Sequence, residues 1–413
     1  MKKVLMILSH REKRRVQVQE CHKCATLVWS ALCCLGIVSL GNIGCTNKKG
    51  GIYAPTPVHL LEAKTQERGS THTGHEFAYA ASGLDVLQFQ VSQSGQLVPL
   101  VPKAALAGQE IKQIVTDPQG RYLYVAYFHA RQFSQYNIKR DGTLESPATS
   151  VNALSGEETD MVSSPDGKFL YVATNQGTID QFDIAWGKSV QLHASYSLLN
   201  PGAQITLAVG RQGHFLYYGN NGSLNQMHIR RDGALKPLFP SYADVGNYYS
   251  IVPSADGKFV YALTNTASSG VETVREYAVN FNGTLHLLTH RYLSLGATLL
   301  VPHPKKPYLY AAGFYSKKSI QPLKILPSGK LYQFSSVSYV SGTRFPSLQH
   351  ASVSFSIDPT GCFAWSTQND FTESPSPATQ LHQYKVNSNG TLTVKGIYSF
   401  KGKVFSSLVA VWH

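Results

Sequence analysis

Of the six cysteines in this 413-residue sequence, five stand at or before position 45: Cys21, Cys24, Cys33, Cys34 and Cys45. Cys362 alone follows, so a chain without its first 45 residues cannot form an internal disulfide. Cys21-x-x-Cys24 has no second pair to complete a four-thiolate site. Charge is scarce too: Asp, Glu, Lys and Arg make up 15% of the residues, against 43% hydrophobic ones. That shortage disfavours long solvated helices, and the 34 Gly, 23 Tyr and 18 Phe suit short strands joined by turns. There is no G-x-x-x-x-G-K-[ST], no G-x-S-x-G, no H-E-x-x-H and no EF-hand loop. Nucleotide-phosphate cradling, elbow-type serine hydrolysis and zincin chemistry therefore have no motif to rest on. No metal, cofactor or nucleic acid is expected, and the chain is expected to be a monomer.

The first 44 residues read as a separate object. Lys2, Lys3, Arg11, Lys13, Arg14, Arg15 and Lys23 face only Glu12 and Glu20, and the uncharged run Ala25–Gly44 follows. A basic region, an apolar region and small residues before a cleavage point describe an export signal. The Gly44-Cys45 junction resembles a bacterial lipobox, which implies lipidation of Cys45 and a cell-envelope location, lipid-anchored to a membrane (the outer membrane or the periplasmic face in a Gram-negative cell). Asn42 stands where such motifs usually carry Leu, so plain secretion and an uncleaved twenty-residue anchor stay open as alternatives. Residues 45–74 have the Lys, Gly, Pro, Thr and Ser content of a flexible tether. Removing residues 1–44 takes away seven Lys/Arg and two Asp/Glu, lowering the formal charge from +13 to +8. The remaining charge reads as diffuse along the chain.

From residue 75 one phrase recurs. "DPQGRYLYVAY" begins at Asp117, "SPDGKFLYVATN" at Ser164, "SADGKFVYALTN" at Ser254 and "DPTGCFAWSTQN" at Asp358. The central aromatics are Tyr79, Tyr124, Tyr171, Tyr217, Tyr261, Tyr310 and Trp365, at spacings of 44 to 55 residues. A second alternating run follows each, mostly ending in Asp-Gly, Asn-Gly or Ser-Gly, as in "QFSQYNIKRDGTL" from Gln132 and "QLHQYKVNSNGTL" from Gln380. Such dipeptides supply the positive φ that tight hairpins need. Seven units of this length, each with room for four strands, predict an all-β, seven-bladed β-propeller over residues 75–413. The first unit lacks a leading strand, and "FSSLVAVWH" (405–413) resembles what is missing. The C-terminal segment is therefore expected to join the first blade as its innermost strand and close the ring; a stray terminal strand is the alternative.

The phrase and its trailing "DGTL" make residues 75–413 similar to lactonase-type propellers, a group that includes 6-phosphogluconolactonases and YVTN-repeat surface proteins. The resemblance implies hydrolysis of a sugar lactone, without a metal, at the channel mouth where the innermost strands begin. In those enzymes an Arg-His pair often stands before that strand. The equivalent pairs here are Lys112-Gln113, Thr159-Asp160, Ile205-Thr206, Tyr249-Ser250, Thr298-Leu299 and Val353-Ser354, and none is Arg-His.

Other polar residues gather near those strand starts. Glu157, Glu158 and Asp160 crowd three carboxylates together, which raises their proton affinity and suits general acid–base work. Asp160 and His350 are the candidate catalytic pair; Lys112, Glu158, Tyr249 and Arg344 are candidate substrate-binding residues. His303 lies in a blade turn, and Trp365 and Trp412 on strands, where packing roles are the default. Two readings result: a membrane-tethered lipoprotein whose propeller binds a small-molecule or protein ligand, or a hydrolase opening a lactone or related ester.

Overall fold

The computed structural model describes residues 75–412, except 146–148, 185–189, 199–203, 266–271, 294–296, 314–318, 335–336, 339–353, 371–377, 402 and 404. These residues belong to one compact unit, Ser70–His413. They form strands and turns only, and among them no helix is long and apolar enough to cross a membrane.

The strands run in sequence order through the repeats. The first unit holds β1 (Glu76–Ser82), β2 (Asp85–Val91) and β3 (Leu97–Leu106). Next come β4 (Ile111–Thr116), β5 (Tyr122–Tyr127), β6 (Phe133–Asn137) and β7 (Thr149–Val151). The third unit holds β8 (Glu158–Ser163), β9 (Phe169–Thr174), β10 (Thr178–Asp183) and β11 (Gln191–Ser197). Then follow β12 (Thr206–Val209), β13 (Phe215–Gly219), β14 (Asn221–Ile229), β15 (Leu235–Pro253), β16 (Phe259–Asn265), β17 (Glu272–Val279) and β18 (Leu285–Leu293). Beyond these lie β19 (Ala297–Pro302), β20 (Tyr308–Gly313), β21 (Ser319–Ile325), β22 (Leu331–Gln333) and β23 (Val337–Ser338). The last are β24 (Phe355–Ile357), β25 (Phe363–Asp370), β26 (Ala378–Val386), β27 (Leu392–Lys401) and β28 (Phe405–Trp412).

Antiparallel pairing gathers them into six sheets, five of them with four or five strands. The sixth departs from the expectation of one separate sheet per repeat. Its seven strands, β12 to β18, are joined by the 19-residue β15, which is the outer strand of one repeat and continues as the leading strand of the next. The reason is local: β14 begins early, so Asn221–Leu224 pair with Asp244–Asn247 and keep the connection extended.

This is an all-β propeller. The middle strands are buried on both sides, as β9 and β20 show along nearly their whole lengths, because each sheet is covered on two faces by its neighbours. Outer strands such as β11 are mostly exposed. The leading strands follow one another side by side, β4 against β8, then β12, β15, β19 and β24. The C-terminal β28 lies between β24 and β4 and pairs antiparallel with β1, Phe77 opposite Val411.

Six of the seven repeated aromatics have a definite task; the Tyr124 hydroxyl is buried without a partner. The hydroxyl of Tyr79 donates to the carbonyl of Gly142 at 2.7 Å, Tyr171 to Gly233 at 2.8 Å, and Tyr217 to Gly283 at 2.9 Å. Tyr261 and Tyr310 do the same to Gly329 and Gly390, and the Trp365 indole returns to Gly95 in the first unit at 3.1 Å. Each bond runs from the middle of one repeat to the hairpin turn of the next. That glycine is needed twice over: at Gly283 φ is +86°, and a Cβ there would sit 2.1 Å from the Phe215 ring.

Candidate functional site

Four of the leading strands share an irregularity near the start of their pairing with the second strand. The register against the second strand slips between Ile111 and Gln113, Glu158 and Asp160, Tyr248 and Ser250, and Ala297 and Leu299. The extra residues are Lys112, Thr159, Tyr249 and Thr298, and a bulge of this kind frees a side chain from the ladder and re-aims it. These bulged positions are the first members of the residue pairs singled out in the sequence.

At several of these strands the second residue of the pair ties neighbouring repeats together. An Asp160 oxygen accepts the Leu207 N–H of the adjacent strand at 2.7 Å. In the same way the Ser250 hydroxyl accepts the Leu300 N–H at 3.1 Å, and the Ser354 hydroxyl accepts the Leu408 N–H at 2.9 Å. The donating strands β12, β19 and β28 are sheet edges, and such bonds satisfy edge donors that no further strand will pair.

Three of the candidate residues come together. The Lys112 ammonium lies 3.2 Å from one Glu158 carboxylate oxygen, and it also donates to the Glu158 main-chain carbonyl. The Glu158 side chain is 1% exposed, while that of Lys112 is 31% exposed. Apart from this ion pair, neither Glu158 carboxylate oxygen has a hydrogen-bond partner. Burial pushes the Glu158 carboxyl up to about 7; Lys112 opposes that rise and the Asp160 charge adds to it. A carboxyl at that value is divided between its two forms near neutral pH, which suits transfer of a proton.

Asp160, two residues on, is held differently. Its carboxylate accepts from Gln113 Nε2 at 3.0 Å, the Met161 N–H at 2.8 Å, the Leu207 N–H at 2.7 Å and the Thr206 hydroxyl at 3.2 Å. Burial raises its proton affinity, and these four donors pull the other way. They also occupy the lone pairs that a general base would need free. Gln113 and Thr206 were not among the candidates read from sequence. Each is the second residue of its pair, and that alignment was the signal for them.

The other candidates lie apart or cannot be placed. Tyr249 is 46% exposed on β15, with β8 and β12 between its strand and that of Lys112. Its neighbour Tyr248 is buried instead, bonded by Arg275 at 2.8 Å, and Arg275 pairs with Asp244 at 2.6 Å. Arg344, His350 and Cys45 lie outside the described residues. Glu157 faces His129 at 3.6 Å on the surface. His303 is fully buried; its Nδ1 accepts the Lys305 and Lys306 N–H groups, and its Nε2 lies 3.2 Å from the Gly361 carbonyl. It shapes a turn, as Asp117 and Asp358 do in theirs. Trp365 is fully buried, and the side chain of Trp412 is outside the described set. Among the described residues no group of three or more His, Cys, Asp or Glu side chains is arranged to hold a metal.

No protein-family model matches the chain, and no curated protein sequence does. Solved structures do. The periplasmic gluconolactonase PpgL of Pseudomonas aeruginosa aligns with a TM-score of 0.65 at 16% identity, over 82% of this chain and 99% of that one. A putative 6-phosphogluconolactonase from Bacteroides uniformis aligns with a TM-score of 0.62 at 15% identity, over 82% of this chain and 99% of that one. A protein from Lactobacillus plantarum aligns with a TM-score of 0.61 at 13% identity, over 83% of this chain and all of that one. At these identities the likeness is one of fold: the chain has a β-propeller fold similar to that of lactonase-like propellers.

Proposed function

We propose that this protein is a hydrolase of lactones or related esters, acting where the leading strands begin. The observation that carries the reading is the Lys112–Glu158 pair, a half-exposed ammonium over a buried carboxyl held near 7. Lys112 would hold the lactone carbonyl oxygen as negative charge develops on it. Glu158 would take the proton of the attacking water and return it to the ring oxygen as the C–O bond breaks, leaving a hydroxy acid. Asp160, placed as catalytic from sequence, is better suited to positioning, since its bonds join three repeats. His350 and Arg344 precede β24 in sequence and enter the proposal as a second proton carrier and an anion holder.

The ring is proposed to have seven blades closed by β28, supported by seven leading strands in sequence and by the Trp365–Gly95 bond. Residues 1–44 are proposed as a lipoprotein-type export signal and 45–74 as a tether from lipidated Cys45, giving an envelope location; that PpgL is periplasmic agrees with this. A second reading, a tethered propeller that binds without turnover, is favoured by the filled lone pairs of Asp160.

The test is acid release at constant pH from sugar and acyl lactones, using the full chain. Turnover that falls at least ~100-fold in Glu158→Gln, the usual worth of a general base, supports hydrolysis. Absence of turnover on every lactone leaves the binding reading.

A further inference from the structure

The fold sorts charge between its two faces. Asn137, at the end of β6, pairs with Tyr122, at the start of β5, so the 117–121 turn and the 139–143 hairpin lie on one side. Main-chain bonds join such turns within a repeat: the Ile138 N–H donates to Arg121, Ile229 to His214, and Ile325 to Pro307. Turns of neighbouring repeats also touch, as where Arg121 reaches the Gly167 carbonyl at 3.4 Å. Together these turns form one continuous face, opposite the end where Lys112 and Glu158 lie.

That face is basic. Lys139, Arg140, Arg211, Arg230, Arg231 and Lys330 all stand on its turns, all are exposed, and none has an ion-pair partner among the described residues. Its acidic residues are fewer, and they lie within the turns themselves. Asp117 and Asp358 are fully buried, and Asp141 and Asp232 accept from Thr143 and Ala234 within their own hairpins. Asp166 and Asp256 face Lys168 and Lys258. The opposite rim carries Asp85, Glu110, Glu157 and Asp244, and its own cations are matched to acids there: Lys403 pairs with Asp85, Arg275 with Asp244 and Lys112 with Glu158.

The chain also enters on the basic side. Glu76, where β1 begins, pairs with Trp412, and Phe77 pairs with Gln90 just before the 92–96 hairpin. The 74 residues that precede the described body, with the apolar run Ala25–Gly44 among them, are therefore joined to it at the turn face. From the charge and this attachment together we infer that the turn face docks on a membrane surface rich in anionic phospholipid headgroups, leaving the Lys112–Glu158 end turned away from the bilayer. Each cation near such a surface strengthens partitioning by roughly fivefold. The inference does not depend on hydrolysis at the other end.

The experiment is surface labelling of the full chain, reconstituted in vesicles of phosphatidylcholine alone or mixed with anionic phosphatidylglycerol. A membrane-impermeant amine reagent is applied and each lysine quantified by mass spectrometry. Lys139 and Lys330 should lose labelling severalfold in anionic vesicles only, while Lys103, exposed on the outer strand β3 toward the other rim, stays constant. High salt should restore the labelling, since screening shortens the reach of charge to about 3 Å at 1 M. Arg140→Glu with Arg230→Glu and Arg231→Glu should abolish the difference; if that variant does not fold, the lipid and salt comparison on the unaltered chain decides alone. Equal labelling of Lys139 and Lys330 in both vesicles, or protection that salt does not relieve, overturns the inference.

Discussion

Glu158 should make this protein less stable as pH rises from 5 to 8. In the unfolded chain its carboxyl titrates near 4.5, and in the fold near 7, because burial penalises the ionised form more than Lys112 compensates. Between those values the folded state holds a proton that the unfolded state has released, so folding is favoured by low pH. The contribution is present below 4.5 and is lost as pH rises through 7. Integrated between pH 5 and 8 it amounts to about 2–3 kcal/mol. The assay is urea denaturation of the full chain and of Glu158→Gln at both pH values. All other titrating groups are common to the two proteins, so the difference between their pH dependences isolates this carboxyl. The variant should be the less pH-sensitive of the two, by about that amount. Lys112→Met gives an independent check: without the ammonium the carboxyl rises further, and the loss of stability should move to higher pH. Equal pH dependence in the full chain and Glu158→Gln would refute the reasoning.

Three further outcomes follow from the packing. Tyr217→Phe should cost ~1–3 kcal/mol in chemical denaturation, because it leaves the Gly283 carbonyl buried without its donor; no change would mean that water replaces the hydroxyl. Gly283→Ala should destabilise by at least ~1–3 kcal/mol, since a left-handed φ and a collision with Phe215 act together. Deleting Phe405–His413 exposes the edge of β1 and removes the Leu408 donor from Ser354, so the melting temperature should fall well beyond what nine exposed residues would cause. A truncated chain that melts with the full one would show that β28 is dispensable.

Much of the architecture was legible because its causes are local. Asp-Gly and Asn-Gly announce their turns through backbone conformation, and the aromatic-Leu-Tyr-Val-Ala phrase declares a strand covered on both faces. The site was legible in part. Lys112, Glu158 and Asp160 were picked out by type and by position before a leading strand. Their division of labour was not, because it depends on Thr206 and Leu207 from the next repeat and on which carboxylate loses its water. The bulge that turns Lys112 out of its ladder also leaves no mark in composition or spacing.

The sequence by itself determined the repeat, the glycines at the hairpins and the residues from which a site could be assembled, since each depends on contacts within a few positions. Tertiary structure decided the rest. It joined tyrosines to glycines more than sixty residues away, and it let β15 run from one repeat into the next. It also sorted charges that look scattered along the chain onto one face. Burial and long-range contact set proton affinity and surface potential, and neither exists until the sheets have packed against one another.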